Sequence, residues 1–323
     1  MERIALSNAE FEGDNAVYVL EGPEGPTLVD TGVATDDVRR QLADGLRPLG
    51  YALADVEAIL LTHWHADHAG LAGDIQRESG CRVLVHEADA PMVTHEDASA
   101  YECLRRRRFR AWGMPTEKRE ELRAFFEAAR GIEGRPPSVE RVADGDAIAV
   151  AGHDVRVRES GGHTDGSATY ELVDAQEAFV GDVLLPVYTP NVGGADVRVE
   201  RPLARYLATL RRIAHADYAV AWPGHRTPIE VPTERAGEIV HHHRERTARV
   251  LEVLRRHGPA DPWTVSAHLF GELEGIHVMH GPGEAFAHLD HLHHEGVVER
   301  SGGRYAPPVE EPDLDELVPA VSD

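Results

Sequence analysis

"LLTHWHADHAG", Leu60–Gly70, packs three histidines and an aspartate into the six positions from His63 to His68, after an apolar run and before small residues. In the extended chain that ends "AILLT", side chains two apart point the same way, so His63 and His65 can share one ion. Where the chain turns toward the next helix, Asp67 and His68 face a neighbouring position. One short loop can therefore serve two metals. It completes neither, because a catalytic zinc takes about three protein ligands and keeps a place for water. The missing groups must come from other strand ends. His163 in "GGHTDG", Asp182 in "FVGDVLL" and His225 in "AWPGHRTP" each follow an apolar strand or a glycine turn. A lone histidine at a strand end is more often structural, and this chain has 20 of them. The run H-x-H-x-D-H followed by three further sites points to a metal.

Outward from that loop, "NAVYVLEG" and "PTLVDTG" read as strands around a Gly/Pro turn, "ATDDVRRQLADGLRPLG" as an amphipathic helix, and "VEAILLT" as a short buried strand. A second wave follows: "LAGDIQRESG" is helical, "CRVLVH" a strand, "DAIAVAGHDVRVRES" a hairpin, and "SATYELV" and "EAFVGDVLL" two strands. Two comparable halves predict an α/β fold of two sheets sandwiched between helix layers. Between them, residues 87–135 read as a helical, arginine-rich insert that includes "RRRRFR", Arg105–Arg110. It is either a lid whose guanidinium groups, Arg105 and Arg106 among them, meet an anionic substrate, or a solvated face paired with its own glutamates. "TPNVGG", Thr189–Gly194, lies at the same edge as the metal candidates; Asn191 either lines a substrate pocket or belongs to a plain glycine turn.

Residues 1–232 thus form the catalytic domain. A long helix from Thr233 to His257 opens the second unit, 233–306. A turn and a helix with Thr264 as N-cap follow, then the helix "GEAFAHLDHLHHEG" closed by Gly296, and two strands around "SGG". Helix, helix and two-stranded wing outline a winged helix. His288, His291, His293 and His294 are expected on the exposed side of its third helix. The acidic, proline-bearing tail, 307–323, reads as disordered.

The chain carries 56 acidic against 33 basic side chains, a net charge of −23, and its single lysine is Lys118. Such acidity suggests a halophilic source in which a negative surface resists association. At molar salt the Debye length falls to about 3 Å, so the charge excludes no anionic substrate. Two cysteines allow neither a disulfide framework nor a cysteine zinc site. With no basic-then-apolar leader and no long apolar run, the expected location is cytoplasmic, with no membrane partner.

"LVDTG", "THWHADH", "GGHTDGS", "FVGD" and "PGHR", in that order, resemble the five motifs of the metallo-β-lactamase-fold hydrolases, over roughly Ala5 to Pro232. The resemblance implies an αββα sandwich holding two zinc ions, with iron or manganese open to the same ligands. It assigns His63, His65 and His163 to the first ion, Asp67, His68 and His225 to the second, and Asp182 to both. Asp30 would orient the loop and a ligand histidine from behind. It also implies a metal-bound hydroxide as nucleophile, two ions about 3.5–4 Å apart lowering the pKa of water from about 15.7 toward 7, with Asp67 beside it as a proton acceptor.

Asp182 stands where the best-known β-lactamases carry cysteine. With "GGHTDGS", this favours glyoxalase II-like hydrolysis of a small thioester or ester over antibiotic hydrolysis. "WPGHRTP", the "HHHRERTARVLEVL" helix and the winged-helix outline extend the resemblance, to about Arg304, to the LACTB2-like group, some of whose members cut single-stranded RNA. In that likeness His242 and His243 lie near the cleft as substrate contacts. Persulfide dioxygenases with one iron keep the same motifs. A winged helix also admits a nucleic-acid-binding regulator, but "GEAFAHLDHLHHEG" has three acids and no Lys or Arg, a poor match to phosphate. Closing the cleft or pairing two chains as a homodimer is the alternative role.

Overall fold

The computed structural model describes residues 1–8 and 13–321. The first sheet runs β1 (Glu2–Leu6), β2 (Asn15–Leu20), β3 (Thr27–Val29), β4 (Ala58–Leu61), β5 (Arg82–His86), β6 (Glu140–Val142), antiparallel as far as β3 and parallel from there. Parallel neighbours need crossovers. Helix α1 (Asp36–Leu46) links β3 to β4, and α2 (Ala66–Ala69) and α3 (Ala72–Ser79) link β4 to β5. Thr35 starts α1, its hydroxyl accepting from the Val38 N–H at 3.2 Å, with Asp36 and Asp37 in the first turn. The insert forms α4 (Ala90–Val93), α5 (Ala98–Ala111) and α6 (Thr116–Ala129) between β5 and β6.

The second sheet runs β7 (Ala147–Val150), β8 (His153–Glu159), β9 (Ala168–Leu172), β10 (Glu177–Gly181), β11 (Val220–Pro223). Its last pair is parallel because α7 (Pro202–His215) carries the chain across. Strand alternation explains the layers. From β4, Ile59 and Leu61 face α1 and α3 beside Leu42, Leu46 and Ile75, while Ala58 and Leu60 face the other sheet beside Tyr170 and Phe179. From β10, Ala178 and Val180 face Leu203, Tyr206 and Leu210 of α7. All four residues of β4 are buried, as a strand covered on both faces requires.

Helix α8 (Pro232–His257) leads to α9 (Pro262–Phe270), α10 (His277–His294), a hairpin of β12 (Arg300–Ser301) and β13 (Arg304–Tyr305), and α11 (Leu314–Leu317). Lys118 of α6 ties the insert to this region, its Nζ donating to Glu121 at 2.7 Å and to the Leu273 carbonyl at 3.1 Å. Several expectations are corrected here. Asp261, not Thr264, caps α9, its carboxylate accepting from the Thr264 N–H at 2.8 Å. Helix α10 begins at His277, ahead of the "GEAFAHLDHLHHEG" stretch, and runs through Pro282, with Val278 and Met279 buried in its first turn. That helix is covered by α7, α8 and α9, so His288 and His291 are buried rather than exposed. The tail is described through residue 321 and contains α11. Val318 is fully buried, and its carbonyl accepts from Arg244 Nε at 3.0 Å and Nη2 at 2.8 Å. Leu317, Val318 and Val321 pack with one buried cluster, and Leu314 and Leu317 against another. The last two residues of the tail lie outside those described.

The buried histidines make stability pH-dependent. The Thr247 hydroxyl donates to the His243 carbonyl (2.8 Å), so its oxygen accepts from His288 Nδ1 (2.9 Å) and His288 Nε2 accepts from His243 Nδ1 (3.3 Å). A further proton would add a buried donor without an acceptor. Burial, followed by the neighbouring cationic groups, brings His243 down to about 3 and holds His288 well below its ordinary value. A lowered folded pKa means that the unfolded chain binds protons first as pH falls, so this stability is present above about 6.5 and is lost between there and about 3. His243 is expected to remove about 1.4 kcal/mol per pH unit in that window, and His288 to add a loss of the same sign. Urea unfolding at stepped pH values checks this, and His288→Gln should flatten the slope.

Candidate metal centre

The carboxyl end of β4 delivers Thr62 and the loop His63–His68, and the ends of β10 and β11 deliver Asp182 and His225. The turn between β8 and β9 delivers His163. Three groups of donor atoms converge, each lying within 4.8 Å of one another: His63, His65 and His163; His63, His68 and Asp182; Asp67, His68 and His225. His65 Nδ1 is 3.0 Å from His63 Nε2 and 3.1 Å from His163 Nε2. Asp67 Oδ2 is 3.5 Å from His68 Nε2 and 3.4 Å from His225 Nε2. Asp182 lies between the two sets, its Oδ2 3.3 Å from His225 Nε2 and 3.9 Å from His163 Nε2. Ligands about 2.0–2.1 Å from a tetrahedral ion stand roughly 3.3 Å apart, which these separations match.

The rings are held from behind. The second nitrogen of His63 meets Thr62 Oγ1 at 3.0 Å, that of His65 the Ala195 carbonyl at 3.2 Å, and that of His163 the Asn191 carbonyl at 3.0 Å. Asp30, at φ +62, accepts from the Thr62 N–H and hydroxyl, both at 2.8 Å, and holds His68 Nδ1 at 2.9 Å. These contacts fix which nitrogen faces inward. A Cβ at Gly224 would lie 2.5 Å from both Asp182 Oδ1 and His68 Cε1, so only glycine fits before His225.

The electrostatics divide the cluster. Burial, then the other imidazoles, hold His63 well below its ordinary value and bring His65 down to about 4. Burial also lowers His163, against the pull of Asp182. Burial opposes the charged forms of His68 and His225 as well, but Asp182 and Asp67 outweigh it, raising His68 well above its ordinary value and His225 to about 10. Asp67 and Asp182 are lowered despite burial by the facing imidazoles. Two carboxylates here require positive charge. His68 Nε2, His225 Nε2 and Asp182 Oδ1 are buried without a hydrogen-bond partner, as atoms that await a cation would be. The donor set fits divalent metal.

Of the other sequence candidates, Asn191 adjoins the centre through its carbonyl, and the rest are engaged elsewhere. Arg105 pairs with Glu102 and sits 3.8 Å over the Phe126 ring; Arg106 binds Glu102 at 2.7 Å. Asn191 uses its side chain within the fold, donating to the His280 carbonyl at 3.1 Å and accepting from the Gly194 N–H at 3.1 Å. His242 is half-buried with Nε2 3.2 Å from Arg246. His243 is fully buried against His288, so the expectation that it meets substrate is corrected. Sequence reading missed Asn8 and Asn15, which donate to Asp67 Oδ2 at 3.2 and 3.3 Å. Neither carries a local signal.

The sequence profile described as Metallo-beta-lactamase superfamily matches residues 11–225. The chain belongs to the metallo-beta-lactamase superfamily. Among similar members, the probable metallo-hydrolase YqjP of Bacillus subtilis is 28% identical over 88% of this chain and 90% of its own. The beta-lactamase-like protein 2 homolog of Caenorhabditis elegans is 23% identical over 81% and 72%. A solved metallo-beta-lactamase family protein from Thermus thermophilus superposes with a TM-score of 0.82 at 32% identity, covering 95% of this chain and 98% of that one. That match takes in the C-terminal helical region with the sandwich. This superfamily member is a metal-dependent hydrolase with a His/Asp metal-binding cluster. Among the described residues no helix is long and apolar enough to cross a membrane.

Proposed function

We propose that the chain hydrolyses a small thioester or ester with two divalent ions, zinc in the first place. The observation that carries this reading is the convergence of seven donor groups, six buried and His65 half-buried, in three overlapping sets, with Asp182 also facing His163 and His225. His63, His65 and His163 would hold one ion, and Asp67, His68 and His225 the other. When bound, such a pair polarises a carbonyl oxygen and lowers the pKa of a shared water from about 15.7 toward 7. Asp67, fixed by the amides of Asn8 and Asn15, is placed to take a proton, and Asp30 keeps His68 turned inward.

The surroundings support a small substrate over a polyanion. Arg198 and Arg205 are tied to carboxylates, Arg235 to the carbonyls of Leu185 and Tyr188, and Arg226 to the Tyr188 hydroxyl. Polynucleotide binding wants several uncommitted cations along a track. Beyond Asp182, the exposed Val187 and Tyr188 offer apolar contact instead.

The test is elemental analysis of protein purified in high salt, coupled to turnover of S-lactoylglutathione-type thioesters and of a labelled single-stranded RNA. Two zincs and thioester turnover are expected. RNA cleavage that disappears in His68→Ala would replace the substrate class, and one iron with oxygen consumption on a persulfide would replace the chemistry.

A further inference from the structure

Behind the three histidines of the first set lies a buried charge cluster that ligation does not use. The side chains of Asp89 and Asp196 are fully buried, and Arg198 joins them. Its Nη2 lies 2.5 Å from Asp89 Oδ1 and 2.6 Å from Asp196 Oδ2, its Nε donates to both Asp196 oxygens at 3.1 and 3.0 Å, and its Nη1 donates to the Ala88 carbonyl at 2.7 Å. The lone pairs left over hold the loops that carry ligands. Asp89 accepts from the Trp64 N–H (3.3 Å), the Thr164 hydroxyl (2.7 Å) and the Gly166 N–H (3.0 Å). Asp196 accepts from Trp64 Nε1 (3.3 Å) and the Asp165 N–H (3.1 Å).

Each tie reaches one coordinating ring. Trp64 stands between His63 and His65, its ring 4.7 Å from that of His65. Thr164 follows His163. Asp196 follows Ala195, whose carbonyl fixes His65, in the loop whose Asn191 carbonyl fixes His163. The other half of the centre is held by different groups, Asp30 behind His68 and Asn8 and Asn15 on Asp67. One guanidinium therefore sets the register of three loops that meet at one set of ligands.

We propose that Arg198 is a positioning residue for the three-histidine half of the metal centre, acting through Asp89 and Asp196. This inference rests on the two-ion reading above. The physical argument is charge and shape. Two desolvated carboxylates so close to one another stay ionised and in place only with a cation between them. The planar fork of arginine gives five N–H donors in fixed directions, which a lysine ammonium cannot reproduce. Arg198→Lys keeps the charge and loses the directions, so the loops lose their common reference.

Cobalt(II) titration of the full-length apo protein in high salt, followed by visible absorption, tests this. His225→Ala isolates the three-histidine site, and His163→Ala isolates the other. Arg198→Lys is expected to weaken cobalt at the three-histidine site by about 10–100-fold and to leave the second site at the affinity of the parent. Trp64→Phe keeps the ring and removes one donor, and Thr164→Val removes the hydroxyl. Both should shift the same site by a smaller factor, and they carry the test where Arg198→Lys does not fold. Unchanged affinity at the three-histidine site, or equal loss at both sites, overturns the proposal. Failure of the metal reading is seen separately: parent protein that takes up no cobalt, or takes it up equally after His63→Ala, sinks that reading before any Arg198 variant is compared.

Discussion

Asp182→Ala is expected to lower hydrolysis by about 10³-fold or more and to bring metal content from two ions toward one per chain. Asp182 is the group that faces both donor sets, with His163 Nε2 3.9 Å and His225 Nε2 3.3 Å from its Oδ2. Its removal leaves Asp67 as the remaining inward carboxylate, beside His68 and His225 and acting on His65 and His163 from farther off. Loss of several kcal/mol of charge stabilisation corresponds to that rate factor, since each 1.36 kcal/mol is tenfold. Turnover of the best substrate, read beside elemental analysis and circular dichroism of the same sample, checks it. A folded variant that keeps a tenth of the parent rate would mean that Asp182 does not join the two sets.

The second large effect lies outside the centre. At Gly283, α10 crosses the Gly193–Gly194 turn backbone against backbone, and a Cβ there would collide with Gly194 Cα and N. Neither atom can rotate away, unlike the end of a side chain. Gly283→Val should therefore cost about 3 kcal/mol, the upper part of the usual range for overpacking. Activity should fall further than stability alone explains, because the displaced loop supplies the Asn191 and Ala195 carbonyls that fix His163 and His65. Urea unfolding and turnover well below the melting temperature separate the two contributions. Gly283→Ala should show the same pattern, weaker. A valine variant of parental stability and rate would show that α10 does not press on that loop.

That these donor groups come together was readable because spacing and local geometry coincide: period-two alternation at the end of a buried strand aims His63 and His65 together, and each remaining donor follows a strand or a glycine turn. The layers were readable from two comparable halves of strands with helices between them, and the unbroken apolar run of β4 matches a strand buried on both faces. What lay hidden depends on contacts distant in sequence. Trp64 reaches Asp196 across 132 positions, and Arg198 reaches Asp89 across 109, with no period or motif linking them. His288 looked solvent-facing because its helix was read with one covered side; α10 has neighbours on several. In the tail, acids and prolines outnumber the apolar residues that pack, Leu314, Leu317, Val318 and Val321.

Lys118 carries a practical consequence. With no second lysine in 323 residues, an amine-directed fluorophore has a single side chain to find. That side chain bridges α6 and the connection between α9 and α10. A dye there would sit at the seam between the arginine-rich insert and the C-terminal helices. Its emission would follow any parting of those two parts during turnover, with no cysteine introduced and none of the metal-binding groups disturbed.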